Sequence, residues 1–139
     1  MVSSLQKHLI IKDKGWSRLV ETVHILLADR NRHVRELLRR ELETEGYRVT
    51  VARDAQEILG LLAQGKIPDL LILDLEIPYI MEVNLLEQLQ ATHPTLPVII
   101  HSFQPENPNE FIIPNTVAFL EKAADPNQLK TTIAALVHK

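Results

Sequence analysis

Through the middle of the chain, short apolar runs alternate with stretches whose apolar residues recur every three or four positions. His24-Ile25-Leu26-Leu27-Ala28-Asp29 is a compact run ending in a charge and predicts a buried strand. From Arg32 to about Glu45, Val34, Leu37, Leu38 and Leu42 share helical spacing, with Arg35, Arg39 and Arg40 on the other side and Gly46 as the stop. Tyr47 to Ala52 alternates and is β-branched, a second strand. Asp54 caps a helix in which Ala55, Leu59 and Leu62 share a face, ended by Gly65.

Asp69-Leu70-Leu71-Ile72-Leu73-Asp74 is apolar on both faces, the mark of a central strand in a parallel sheet. Leu85, Leu86 and Leu89 predict a helix after it. Pro97 to Ser102 and Val117 to Glu121 read as a fourth and a fifth strand. A last helix carries Leu129, Ile133, Leu136 and Val137 on one stripe behind Pro126. Repeated strand-then-helix units predict an α/β, doubly wound, five-stranded parallel sheet covered on both faces, in the flavodoxin-like order 2-1-3-4-5. Ligands of such sheets sit beyond the carboxyl ends of the strands.

Two regions fit the rhythm less well. Residues 1–22 have mixed polarity and are open to three readings: a flexible tail, an extra helix or a docking segment ahead of a main unit spanning 23–139. Between Phe103 and Thr116, Pro105, Pro108 and Pro114 are incompatible with a normal helix interior, so a loop or one short turn is expected in place of a fourth helix.

Composition narrows the class. The 139 residues are 45% hydrophobic and 24% charged, enough for a single core. With no cysteine, thiolate metal sites, disulfides and cysteine nucleophiles are excluded, and a reducing cytoplasm is the expected compartment. No apolar run approaches the ~18 residues of a membrane span, and the first residues are too short of apolar length for a signal-peptide core. A net charge of −3 gives no bias toward nucleic acid. The six histidines are scattered, without metal-ligand spacing, and are expected at the surface or in packing.

Four polar residues stand at or just past the ends of four predicted parallel strands: Asp29, Asp74, Ser102 and Lys122. A lone carboxylate after a strand is most simply a turn or cap residue. Four groups on one rim suit phosphoryl transfer to a carboxylate. Asp74 is the candidate nucleophile, a cation neutralises the phosphoryl oxygens, Lys122 adds a fixed charge and Ser102 a hydroxyl.

From about His24 to His138 the chain resembles the response-regulator receiver family. The resemblance is carried by Ile25-Leu26-Leu27-Ala28-Asp29, by Pro68-Asp69-Leu70-Leu71-Ile72-Leu73-Asp74-Leu75-Glu76-Ile77-Pro78, by Pro97-Val98-Ile99-Ile100-His101-Ser102 and by Ala118-Phe119-Leu120-Glu121-Lys122. The Pro-Asp-(apolar)-Asp-x-x-x-Pro block is its most specific part. The resemblance implies that Asp74 is the phosphoacceptor, Asp29 a member of the acidic pocket, Ser102 the switch hydroxyl and Lys122 the phosphate-contacting lysine. It puts Phe119 at the aromatic switch position. It also implies magnesium held by Asp29, Asp74 and the backbone carbonyl of Glu76, with no organic cofactor. Its partners are a sensor histidine kinase or phosphotransfer protein and a downstream protein, with a homodimer as a further option and no direct nucleic-acid or membrane contact.

The departures matter as much. The family normally carries two consecutive acidic residues after its first strand, and here Asp29 is followed by Arg30. An oxygen ligand is thereby replaced by a cation that does not deprotonate, so weakened or lost magnesium binding is expected. Arg30 has three readings: it swings into solvent, it pairs with Asp74 or Asp29 in the metal's place, or it contacts an incoming phosphate. The second is favoured and predicts a pseudo-receiver with slow or absent phosphorylation. Ser102 and Lys122 are 20 positions apart, two fewer than the family's usual spacing. Asn115 replaces a usual glycine and suits a left-handed backbone. Ala123 replaces a usual proline, so a cis peptide is not expected there.

Other functions on this fold class ask for other residues. A phosphatase using an aspartate nucleophile places a second aspartate two positions on, where this chain has Glu76. A flavin or nucleotide binder needs a glycine-rich loop after the first strand, where this chain has Arg30-Asn31-Arg32-His33. A phosphorylation-independent adaptor on the same scaffold is the nearer alternative. An ending soon after the last helix leaves no room for a DNA-binding or catalytic domain, so output by protein binding, not enzymatic activity, is expected.

Overall fold

The computed structural model describes residues 7–12, 15–103, 114–122 and 125–137, the first two strands by their backbone alone. These strands are β1 (Lys7–Lys12) and β2 (Gly15–Glu21), which pair antiparallel as a sheet of their own with a bulge between Ile10 and Ile11. The segment expected as a tail or an extra helix therefore contains paired strands. Its residues mix apolar and polar types with short-range alternation, which suits a pleated ribbon better than a helical stripe.

The remaining elements follow the predicted rhythm. They are β3 (His24–Ala28), α1 (Arg32–Thr44), β4 (Arg48–Ala52), α2 (Ala55–Ala63), β5 (Leu70–Leu73), α3 (Leu85–Thr92), β6 (Val98–Ser102), β7 (Thr116–Glu121) and α4 (Asn127–Val137). Five strands form one parallel sheet in the order β4-β3-β5-β6-β7, which is 2-1-3-4-5 when counted within that sheet. All residues of β3, β5 and β6 are buried, as continuous apolar strands covered on both faces require.

The pleat sends alternate residues into two cores. Leu26, Leu71, Leu73, Val98 and Ile100 pack with Ala55, Ile58 and Leu62 of α2 and with Leu85 and Leu89 of α3. Ile25, Leu27, Leu70, Ile72 and Ile99 pack with Leu38 and Leu42 of α1 and with Leu129 and Ile133 of α4. The inward stripe of α2 thus runs through Ile58, with Leu59 only half-buried beside it, and Leu37 of α1 is exposed rather than inside.

Local chemistry sets the ends. Asn31 Oδ1 accepts from Val34 N at 3.1 Å to start α1, and Asp54 Oδ1 accepts from Glu57 N at 2.9 Å to start α2. Gly46 and Gly65 follow these helices at φ of +94° and +79°, a left-handed turn that costs glycine least.

Asn115 corrects an expectation. Its backbone is not left-handed. Its side chain is buried and donates from Nδ2 to the Leu96 carbonyl at 2.8 Å, while its own carbonyl accepts from Val98 N at 3.0 Å. Asparagine here ties the start of β6 to the start of β7. The expected loop across 103–116 and the Ala123 peptide fall largely or wholly outside the described residues.

Candidate functional site

Parallel strands end together, so whatever follows them shares one rim. Asp29 directly follows β3, Asp74 directly follows β5, Ser102 ends β6 and Lys122 directly follows β7. The sheet's ladder continues one step into these residues. Asp74 N donates to the Ala28 carbonyl at 2.9 Å and Lys122 N to the Ser102 carbonyl at 2.9 Å, which sets their side chains on the same end.

The four groups meet. Lys122 Nζ lies 3.0 Å from Asp29 Oδ2 and 3.2 Å from Asp74 Oδ2, and Ser102 Oγ donates to Asp74 Oδ1 at 3.3 Å. Asp29 and Asp74 are essentially inaccessible and the lysine side chain is only 10% exposed. Burying two carboxylates is costly unless each is paired and hydrogen-bonded. Backbone amides supply the remainder: Asn31 N reaches Asp29 Oδ1 at 2.8 Å, Glu76 N reaches Asp74 Oδ1 at 3.0 Å and Arg30 N reaches Asp74 Oδ2 at 3.3 Å. Asp29 Oδ2 has the lysine as its charge partner but no hydrogen bond of favourable angle among the described residues. Two negative charges against one positive leave the pocket anionic overall.

Arg30 is placed differently from the favoured expectation. Its guanidinium pairs with neither Asp29 nor Asp74; Nη2 reaches Glu76 Oε2 at 2.8 Å, with both side chains 46% exposed. The two carboxylates already share Lys122, and Arg30 and Glu76 flank Asp74 through their amides, so their side chains project outward together. Glu76, expected only to offer its carbonyl to a metal, is also half of this surface pair.

Phe119 lies half-buried against the core that contains α2 and α3. A second aromatic ring, which sequence reasoning left in the loop, is nearer the charges: Phe103 is 56% exposed and Lys122 Nζ stands 5.4 Å from its ring centroid. Its position directly after Ser102 was the available signal. His101 is buried next to Ser102, with Nδ1 lacking a hydrogen bond among the described residues. Burial and then the Lys122 charge push its pKa down from the ordinary histidine value, against the pull of Asp29 and Asp74.

Residues 25–134 match the model of the response regulator receiver domain. The chain belongs to that family. It is similar to the response regulator MprA of Mycolicibacterium vanbaalenii, 40% identical over 78 residues, which are 56% of this chain and 33% of that protein. The matched stretch is thus about a third of that relative's length. Among solved structures it resembles the response regulator TrrA of Thermotoga maritima in complex with Mg(2+)-BeF, 25% identical, with a TM-score of 0.74 and coverage of 84% of this chain and 100% of that one. TrrA in complex with the histidine kinase ThkA has the same fold, at 24% identity and a TM-score of 0.70 over 84% of this chain and 99% of that one. The domain is a receiver of two-component signalling. Among the described residues, no helix is long and apolar enough to cross a membrane.

The receiver fold brings magnesium into question, because the TrrA relative is held with it. The chain offers that ion two converging side-chain carboxylates, Asp29 and Asp74. Magnesium asks for near-octahedral oxygen coordination. Among the described residues, Asp29 and Asp74 are the acidic side chains that converge at the rim, and Lys122 contacts both. Arg30, a cation, follows Asp29, and no group of three or more histidine, aspartate or glutamate residues is arranged to hold a metal among the described residues.

Proposed function

We propose that this receiver works as a pseudo-receiver. Asp74 occupies the phosphoacceptor position, phosphorylation with magnesium is slow or absent, and the signal is passed by binding a downstream protein. The observation that carries this reading is the charge arrangement at the rim: two carboxylates share one buried lysine, and Arg30 pairs with Glu76 at the exposed side. A metal entering there meets a fixed cation, Arg30, in place of a third carboxylate.

The residues still retain what a phosphoryl acceptor needs in outline. If a donor reaches the pocket, an Asp74 oxygen attacks phosphorus, the donor's bond to phosphorus breaks with its electron pair leaving on the donor, and an acyl phosphate forms. Lys122 and Ser102 stand within reach of Asp74 and so of oxygens on that phosphate. The donor class is a histidine kinase or a phosphotransfer protein, a reading supported by the TrrA–ThkA complex. The receiver unit is assigned to 23–139, following an N-terminal extension over 1–22, and its place of work to the cytoplasm.

Incubation with acetyl phosphate and magnesium, followed by intact mass, tests the reading. Little or no phosphate adduct is expected. A stoichiometric adduct that requires magnesium and disappears in Asp74→Ala overturns it.

A further inference from the structure

Seven of the eight arginines in the chain fall between residues 30 and 53, although the net charge is −3. At the acceptor pocket, Arg30 stands at the rim and Arg35 meets the backbone carbonyl of Asp29. Arg32, Arg35 and Arg39 recur on α1 at intervals of three and four, so they form one stripe on the helix. The stripe faces β4, an edge strand of the parallel sheet. There Arg32, Arg35, Glu36, Arg39 and Val51 line a cleft of about 160 Å³.

We propose that this cleft binds a phosphate or diphosphate group. Three guanidinium groups face a single carboxylate, so its walls carry an excess of two positive charges. Guanidinium forks match phosphate oxygens through paired, charge-assisted hydrogen bonds. The three arginines are not equivalent. Arg32 is engaged with Glu36 at 3.1 Å, and Arg39 is exposed and makes no salt bridge among the described residues. Arg35 is half-buried and donates from Nη1 to the Asp29 carbonyl at 2.7 Å, which orders one end of its fork before any ligand arrives. A prearranged donor binds with less ordering cost than a free side chain.

The Arg35 bond also ties the cleft to the acceptor pocket. Asp29 carries Arg35 on its carbonyl and Lys122 on its carboxylate, and Lys122 in turn contacts Asp74. An anion that draws Arg35 toward itself therefore acts on the residue that shares the Asp74 cation. The inference does not rest on whether Asp74 accepts phosphate.

The full chain, titrated with inorganic pyrophosphate at constant ionic strength and without magnesium, tests it by amide NMR shifts. Saturable shifts are expected over the first half of α1 and at Val51, with a smaller shift at Asp29. Arg39→Ala is expected to weaken binding roughly tenfold, the effect of one charge-assisted hydrogen bond. Glu36→Gln is expected to tighten it, so the two variants move in opposite directions while both keep the folded spectrum. Equal shifts from sodium chloride at matched ionic strength overturn the proposal, as does an Arg39→Ala protein that titrates like the parent. An acidic peptide that binds this face and is not displaced by pyrophosphate also overturns it, and assigns the face to protein docking.

Discussion

Arg30 and Glu76 meet side chain to side chain at 2.8 Å while their own backbone amides hold the two oxygens of Asp74. The same two residues therefore hold the Asp74 carboxylate through their backbone and pair with each other at the surface. At 46% exposure the pair is too solvated to contribute more than about 1 kcal/mol to stability. Its consequence is for access and charge.

Replacing Arg30 by aspartate converts the cation into an oxygen donor beside Asp29 and Asp74. Magnesium affinity is expected to rise at least about tenfold, the scale on which changes around a metal ligand act. Magnesium titration followed at the Asp29 and Asp74 amides measures this. Equal affinity for Arg30→Asp and the parent contradicts the assignment of Arg30 as the residue that weakens the site.

Lys122 is the sole side-chain cation within 4 Å of the two buried carboxylates among the described residues. Lys122→Met is expected to destabilise the fold by about 3–5 kcal/mol, because it strands buried negative charge. Adding Asp29→Asn should recover part of that loss. Urea unfolding of the single and double variants checks both statements, and a single variant as stable as the parent shows that Lys122 does not neutralise the pair.

Acid should weaken the fold through two histidines. The pKa of His24 is lowered by burial and then by Arg48, against Asp69, and that of His101 by burial and then by Lys122. In each case the folded state takes up its proton at lower pH than the unfolded chain does. Stability is thus full above the ordinary histidine value near ~6.5 and falls as pH drops below it toward the folded values. Urea midpoints at pH 7.5 and 5.5, set about one unit either side of that value, should show the loss. His101→Gln should reduce it; an unchanged pH dependence argues against His101 as a contributor.

Asn115→Gly separates two roles. At a left-handed position glycine is the favourable replacement. Here the backbone is not left-handed and the side chain donates to Leu96, so the substitution is expected to cost about 1–3 kcal/mol by leaving a buried carbonyl unsatisfied. A gain in thermal stability contradicts that role.

The sheet was legible in the chain because each of its levels points the same way. β3, β5 and β6 are runs of branched apolar residues too short for helices, and the segments between them carry helical stripes, one of them behind a capping Asp54. Parallel strands that end at one rim also made the meeting of Asp29, Asp74, Ser102 and Lys122 foreseeable, since strand register alone brings their backbones together. The strands at the N-terminus were not foreseen, because their pairing is decided between two segments and not within either.

Which charges pair was beyond the primary structure. That Arg30 follows Asp29 is written in the chain; that its guanidinium reaches Glu76, while Lys122 spans the two aspartates, depends on side-chain directions at the ends of three different strands. Tertiary packing also set Asn115 as a tie to Leu96 and turned three arginines of α1 toward an edge strand. Strand and helix identity follow from short-range spacing and burial. Ion-pair choice follows from distances of a few ångströms between residues far apart in the chain, and only the folded backbone defines those.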